Sequence, residues 1–187
     1  MKQENPPTSF TFKDIPKRKR IALVLITLGV VMVGSFLGQS FFGLLLGFSS
    51  PFWYLWFLLG FVLTLILHEF LHGVGFWHYT GQAKFGCRLK TPLGPVLYAT
   101  SQGRYIKRIN YQIITLLPQL LTIVFILMMF LPMNDNTRFI LLLLGLTNLA
   151  GGCADIYGVY LLGKYPRQTL FLDTVDGYRV VGSLVKS

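Results

Sequence analysis

The chain has 187 residues, of which 53% are hydrophobic, 15% aromatic and 13% charged, about half the charged share of ~25% in an average water-soluble domain. This is the composition of a membrane protein, and its two cysteines, Cys87 and Cys153, are too few for a disulfide-stapled secreted scaffold. A formal charge of +10 would suggest nucleic acid in a soluble protein; here the basic residues cluster beside apolar runs, where topology and anionic lipid account for them, so a lipid bilayer and no nucleic acid is expected as partner.

Residues 1–20 read as a basic cytoplasmic segment. Crossing ~30 Å of hydrocarbon takes about 20 helical residues, and four apolar runs are long enough: 21–48, 51–78, 111–131 and 139–163. The fold class expected is therefore an α-helical membrane protein with four transmembrane helices in a domain covering 21–163, a cytoplasmic loop at 79–110 and a cytoplasmic tail at 164–187. The first run far exceeds the roughly 7–15 apolar residues of a signal-peptide core, and no A-x-A site follows it, so it is expected to stay in the membrane.

Orientation follows from the basic residues. Six lie before the first span (Lys2, Lys13, Lys17, Arg18, Lys19, Arg20), six between spans two and three (Lys84, Arg88, Lys90, Arg104, Lys107, Arg108) and four in the tail (Lys164, Arg167, Arg179, Lys186). Only Arg138, beside the turn 132–137, lies on the other side. The positive-inside bias predicts a multi-pass protein of the cell membrane with both termini in the cytoplasm.

Two G-x-x-x-G spacings in the first span, Gly34 with Gly38 and Gly43 with Gly47, suit close helix packing. Outside the spans, Lys84 to Thr100 alternates about a turn at Pro92 and Gly94, and Thr169 to Val181 alternates about Asp176 and Gly177. Both read as short cytoplasmic β-hairpins.

Of the seven acidic residues, Glu4, Asp14, Asp135, Asp173 and Asp176 fall in the tails or the outer turn, leaving Glu69 in span two and Asp155 in span four. No Lys or Arg falls inside a span, and all three histidines, His68, His72 and His78, fall at the end of span two. Ionisable groups at membrane depth cost several kcal/mol and mark functional sites.

The string HEFLH is an instance of H-E-x-x-H. Four residues apart on a helix, His68 and His72 share a face and can offer two imidazole nitrogens to one zinc ion, while Glu69 stands beside the water it activates. Zinc lowers the pKa of that water towards ~7, and the carboxylate takes its proton and returns it to the leaving amine.

A catalytic zinc usually takes a third protein ligand, and two residues are candidates. HEFLHGVGFWH also fits H-E-x-x-H-x-x-G-x-x-H, with Gly75 ending the helix and His78 as ligand; a continuous helix would instead turn His78 about 240° from His72. Asp155 lies 17 residues beyond Arg138 and His68 17 beyond Pro51, which puts both roughly 25 Å from the outer surface at ~1.5 Å per residue. The Gly151–Gly152 pair before Asp155 permits close approach or local unwinding. Asn148, two turns earlier, could hold a substrate backbone or an oxyanion, or serve as a helix-packing amide.

HEFLHG, the KFG and YATS segments that follow, Pro118 in the third span and the Asn148-to-Asp155 pattern together resemble the family described as "putative zincin peptidase", small multi-pass bacterial membrane proteins. The likeness covers about Phe61 to Val181. More distantly, an intramembrane H-E-x-x-H with an aspartate on a later span is similar to the site-2 protease clan, although that clan generally has glycine where Ile156 follows Asp155. The resemblance implies zinc ligation by His68, His72 and Asp155, with Glu69 as general base, and a polypeptide in or near the membrane as substrate. The competing reading from another class is a non-catalytic membrane partner or assembly protein that keeps the fold and the metal.

Overall fold

The computed structural model describes residues 9–11, 16–42, 52–89, 96–101, 103–174 and 177–181. In chain order its elements are β1 (Ser9–Thr11), α1 (Lys17–Phe42), α2 (Trp53–Thr80), β2 (Lys84–Arg88), β3 (Val96–Thr100), β4 (Tyr105–Lys107), α3 (Arg108–Leu116), α4 (Gln119–Met128), α5 (Asp135–Gly151), α6 (Cys153–Leu162), β5 (Leu170–Thr174) and β6 (Gly177–Val180).

Among the described residues, three helical stretches are long and apolar enough to cross a membrane: Tyr54–Thr80, Arg108–Met128 and Asp135–Leu162. The expectation of four spans is met only to that extent. The first expected span is helical from Lys17 to Phe42, with Val24–Leu37 as its apolar part, and residues 43–48, with Gly43 and Gly47, lie outside the described residues. The outward faces of these helices suit lipid: Trp56 is 63% exposed and Leu59 60%, a surface water would not tolerate over such a length.

The chain divides into two compact units. One comprises Arg18–His68 and Pro118–Ala154, so it holds α1, the first part of α2, α4 and α5. Its core is Met129, Leu141 and Leu142 with Phe125, Met133, Phe139 and Leu146 packed against them. Helix α5 starts four residues before the expected span because the Asn134 side chain accepts a hydrogen bond from Thr137 N at 2.9 Å, capping orphan amides of the first turn. Leu146 seats on Gly34, where a Cβ would come within 2.5 Å of it, in keeping with the close packing expected of that glycine.

The other unit comprises Met1–Lys17, Glu69–Leu117 and Asp155–Ser187. Both expected hairpins are present. Strands β2 and β3 pair antiparallel with Lys84 opposite Thr100; the expected turn at Pro92 and Gly94 lies outside the described residues. Strands β5 and β6 pair with Thr174 opposite Gly177, and Asp176 of their expected turn also lies outside. The second hairpin is enlarged into a four-stranded sheet, β1-β6-β5-β4, which draws one strand from the N-terminal segment and one from the 79–110 loop, neither of which was expected to hold a strand there. Phe171 and Ile114, both fully buried, anchor this unit's core. Around Phe171 the rings of Tyr111, Tyr165 and Tyr178 stack or meet edge to face, with centroids 5.2–6.1 Å from it.

Asp173, expected among the solvated acids, is buried in that core at 7% exposure. Its inward position on β5 is satisfied by Ser101 N, which donates to Oδ2 at 3.1 Å, and by the Tyr111 hydroxyl, which donates to Oδ1. Burial holds its carboxyl above the ordinary 3.8, against the opposing pull of hydrogen bonds from Thr100, Tyr111 and Ser101.

Candidate metal centre

Helix α2 is unbroken from Trp53 to Thr80, so His68 and His72 stand one turn apart on one face. It closes at Gly81, whose φ of 72° is a left-handed conformation that glycine adopts without a Cβ penalty, and whose N–H donates to Trp77 O at 2.8 Å. Gly75 therefore does not end the helix. It is a packing position instead: a Cβ there would meet Leu117 Cδ1 at 2.7 Å and Ile114 at 3.0 Å. With the helix continuing, His78 is carried away from the face of His72, and it lies exposed with its ring edge-on to Tyr79 at 4.8 Å.

His72 Nδ1 lies 3.0 Å from the Ile114 carbonyl oxygen. That oxygen can only accept, so Nδ1 carries the hydrogen, and in the neutral ring Nε2 keeps its lone pair. His68 Nδ1 lies 3.0 Å from Asn148 Oδ1. The Asn148 amide nitrogen is committed to Pro118 O at 3.0 Å and Thr122 Oγ1 at 2.9 Å, so the atom facing His68 is the oxygen. His68 thus takes the same tautomer. Asn148 is 4% exposed, and its side-chain amide makes three hydrogen bonds, to Pro118 O, Thr122 Oγ1 and His68 Nδ1, so that it supports His68.

On the other side of His72, Nε2 faces Asp155 Oδ2 at 3.5 Å. A direct charge-assisted hydrogen bond would bring these atoms to ~2.7–2.9 Å. Two ligands of one tetrahedral zinc, with bonds of ~2.0–2.2 Å, stand about 3.4 Å apart. At 3.5 Å the two atoms are far enough apart to admit an ion between them. Helix continuity sets His68 beside this pair, and a possible ligand atom from each of His68, His72 and Asp155 lies within 4.8 Å of the others. Asp155 reaches this position from the first turn of α6, after the helix is interrupted at Gly152. The Gln119 amide packs so closely on Gly152 that a Cβ would fall 1.8 Å from its nitrogen, so Gly152 is the site of both the close approach and the helix interruption.

The donor set fits zinc: two neutral imidazoles, each held at Nδ1 by a protein oxygen, and one carboxylate, in a helix face with no Lys or Arg. Glu69 follows His68 on α2 and is half-buried. Two acids at this depth favour a bound dication electrostatically.

Sequence reasoning missed the supporting oxygens. The Ile114 carbonyl has no sequence signature of its own, but Pro118 four residues later signals that it lacks its usual helical donor. The Tyr111–Asp173–Ser101 network was hidden because Asp173 lies in the tail hairpin, where the sequence does not show which face is buried.

A family model described as "Putative zincin peptidase" matches residues 61–170, which takes in α2 from Phe61 onward, the β2–β3 hairpin, α3 to α6 and the start of β5. No curated protein and no solved structure matches the chain. With more than half of its 187 residues matched, and the match spanning His68, Glu69, His72, Asn148 and Asp155, the chain belongs to the putative zincin peptidase family.

Proposed function

We propose that the protein is a zinc-dependent membrane peptidase that hydrolyses a peptide bond of a membrane-embedded or membrane-adjacent polypeptide near the cytoplasmic face, with His68, His72 and Asp155 as metal ligands and Glu69 as general base. The observation that carries this reading is the pair of imidazoles, each tied at Nδ1 to a protein oxygen, with Nε2 of His72 turned to Asp155. Zinc held there would supply Lewis acidity to the scissile carbonyl and to the attacking water.

The remaining steps belong to the chain. Ile114 and Asn148 keep both rings in one tautomer and orientation, the arrangement that raises ligand basicity. Glu69 takes a proton from water as its oxygen bonds to the carbonyl carbon, then delivers it to the amine nitrogen as the C–N bond breaks. A peptide bond must be extended to be attacked, since a helix encloses its backbone; an edge of the β2–β3 hairpin could hold a substrate by strand addition.

The test is Glu69→Gln in detergent-purified protein. The amide keeps the size of the side chain and can still hydrogen-bond water but cannot accept its proton, so zinc content should be unchanged while hydrolysis falls by on the order of 100-fold or more. Wild-type cleavage rates in this variant would overturn the mechanism. Full rescue of a deletion phenotype by it would favour the non-catalytic partner.

A further inference from the structure

Helices α3 and α4 make one membrane-spanning stretch, Arg108–Met128, broken where Leu116 ends the first and Gln119 begins the second. The break is at Pro118, and two carbonyl oxygens around it do unusual things. In a continuous helix Ile114 O would accept from the N–H of residue 118, four positions on; proline has no N–H. Ile114 O instead takes a 3.3 Å bond from Leu117 N and the 3.0 Å bond from His72 Nδ1. The Pro118 carbonyl takes Leu121 N at 3.1 Å in a tight first turn and, with its other lone pair, the Asn148 amide at 3.0 Å. That second bond, with the one to Thr122 Oγ1, is what turns Asn148 Oδ1 towards His68.

We infer that Pro118 is a positioning residue for both histidines: by removing one backbone donor it frees the acceptor for His72, and by tightening the turn that follows it presents the acceptor that orients Asn148 onto His68. The break thus performs a second task beside bending the span. Each histidine otherwise reaches its partner by a separate route, through a backbone oxygen in one case and an amide in the other, so one residue serves two contacts that share no atom. The inference rests on the zinc-site reading for its consequence, but the tautomers it invokes exist without metal. Outer-shell partners of metal-bound histidines are worth about 10- to 100-fold in metal affinity, which sets the size of the effect sought.

The experiment is Pro118→Ala in the full chain, with three readouts. Alanine restores the N–H and suits a helix better than proline, so the melting temperature should hold or rise. Zinc affinity, measured by competition with a chelator, should fall by about 10- to 100-fold. The 15N shifts of the metal-free protein should change from a single Nδ1–H tautomer at His68 and His72 to a mixture. A change in fold alone would lower the melting temperature and leave the tautomer of any folded fraction as it was. If Pro118→Ala does not accumulate, Pro118→Gly, which restores the N–H while permitting the bend, replaces it with the same expected direction. Unchanged tautomers together with unchanged zinc affinity overturn the inference. A wild-type protein that binds no zinc overturns the peptidase reading instead, and the tautomer measurement then decides the role of Pro118 by itself.

Discussion

At His72, Nδ1 is held by a backbone oxygen and Nε2 faces a carboxylate, whereas His78 on the same helix faces outward beside Tyr79. The two residues should therefore respond differently to the same substitution. A site with three protein ligands loses much of its affinity when one is removed, so His68→Ala, His72→Ala and Asp155→Ala should each leave substoichiometric zinc, and His78→Ala should bind a full equivalent. Metal analysis of the purified variants checks this, and the reverse outcome for His78 and Asp155 would move the third ligand to the end of the helix. Asp173 makes a prediction of another kind. Its carboxyl titrates above the ordinary 3.8 because burial penalises the charged form. The folded state therefore holds that proton more tightly than the unfolded chain, so the group's contribution to stability is complete below about pH 4 and is lost as pH rises through the raised value. Asp173→Asn removes the titration. The difference in melting temperature between wild type and variant should drift in that direction with pH; a difference constant across the range would show that Asp173 titrates normally.

Two helices are interrupted and one is not, and packing explains each case. Proline breaks the third span at 118, and the fourth is interrupted just before Asp155 at Gly152, against which Gln119 packs. Helix α2 carries three glycines, Gly60, Gly73 and Gly75, and still continues to Thr80, since glycine costs only ~1 kcal/mol in a helix interior and here lets neighbours approach. Phe85 of β2 lies against Gly73, beside His72, and stacks with Phe70 at 6.4 Å. Ile114 and Leu117 fill the place of a side chain at Gly75. A bulky residue at 75 must displace them, and Ile114 cannot move without moving the carbonyl that holds His72. Gly75→Val should therefore cost ~1–3 kcal/mol by overpacking and weaken zinc binding as well, read by thermal melting and chelator competition on the same sample. A variant that loses stability with zinc affinity intact would separate the packing of α3 from the support of His72.

For the whole molecule the expectation to test is orientation. Sixteen of the seventeen Lys and Arg residues lie on the side expected to be cytoplasmic, a strong bias by the positive-inside rule. Cysteine labelling or reporter fusions should place residues 90 and 104 and the C-terminus in the cytoplasm and residue 135 outside. An external 79–110 loop would reverse the orientation and move the proposed chemistry to the other face of the membrane. The sheet built from β1, β4, β5 and β6 belongs to the same unit as His72 and Asp155, so this scan also reports the face on which a polypeptide would meet the hairpin strands.

What could be read from sequence was what depends on neighbours along the chain. The H-E-x-x-H spacing needs only the pitch of a helix to bring His68 and His72 to one face. The spans need only apolar length, and the hairpins Lys84 to Thr100 and Thr169 to Val181 need only period-two alternation around turn residues. The choices left open there depend on residues distant in sequence. Whether α2 ended at Gly75 was such a choice: the helix runs on to Thr80 with Ile114 and Leu117 packed on that glycine, which sets the direction of His78. Asn148 had the same two readings in any sequence; its three hydrogen bonds form only because Pro118, Thr122 and His68 converge on it. Strands β1 and β4, three residues each, are too short to show a period and exist through pairing with β6 and β5. Asp173 reads as a solvated acid until Tyr111 and Ser101 close over it, because burial is a property of the packed chain and a carboxylate tolerates it only when donors from elsewhere in the fold satisfy its oxygens.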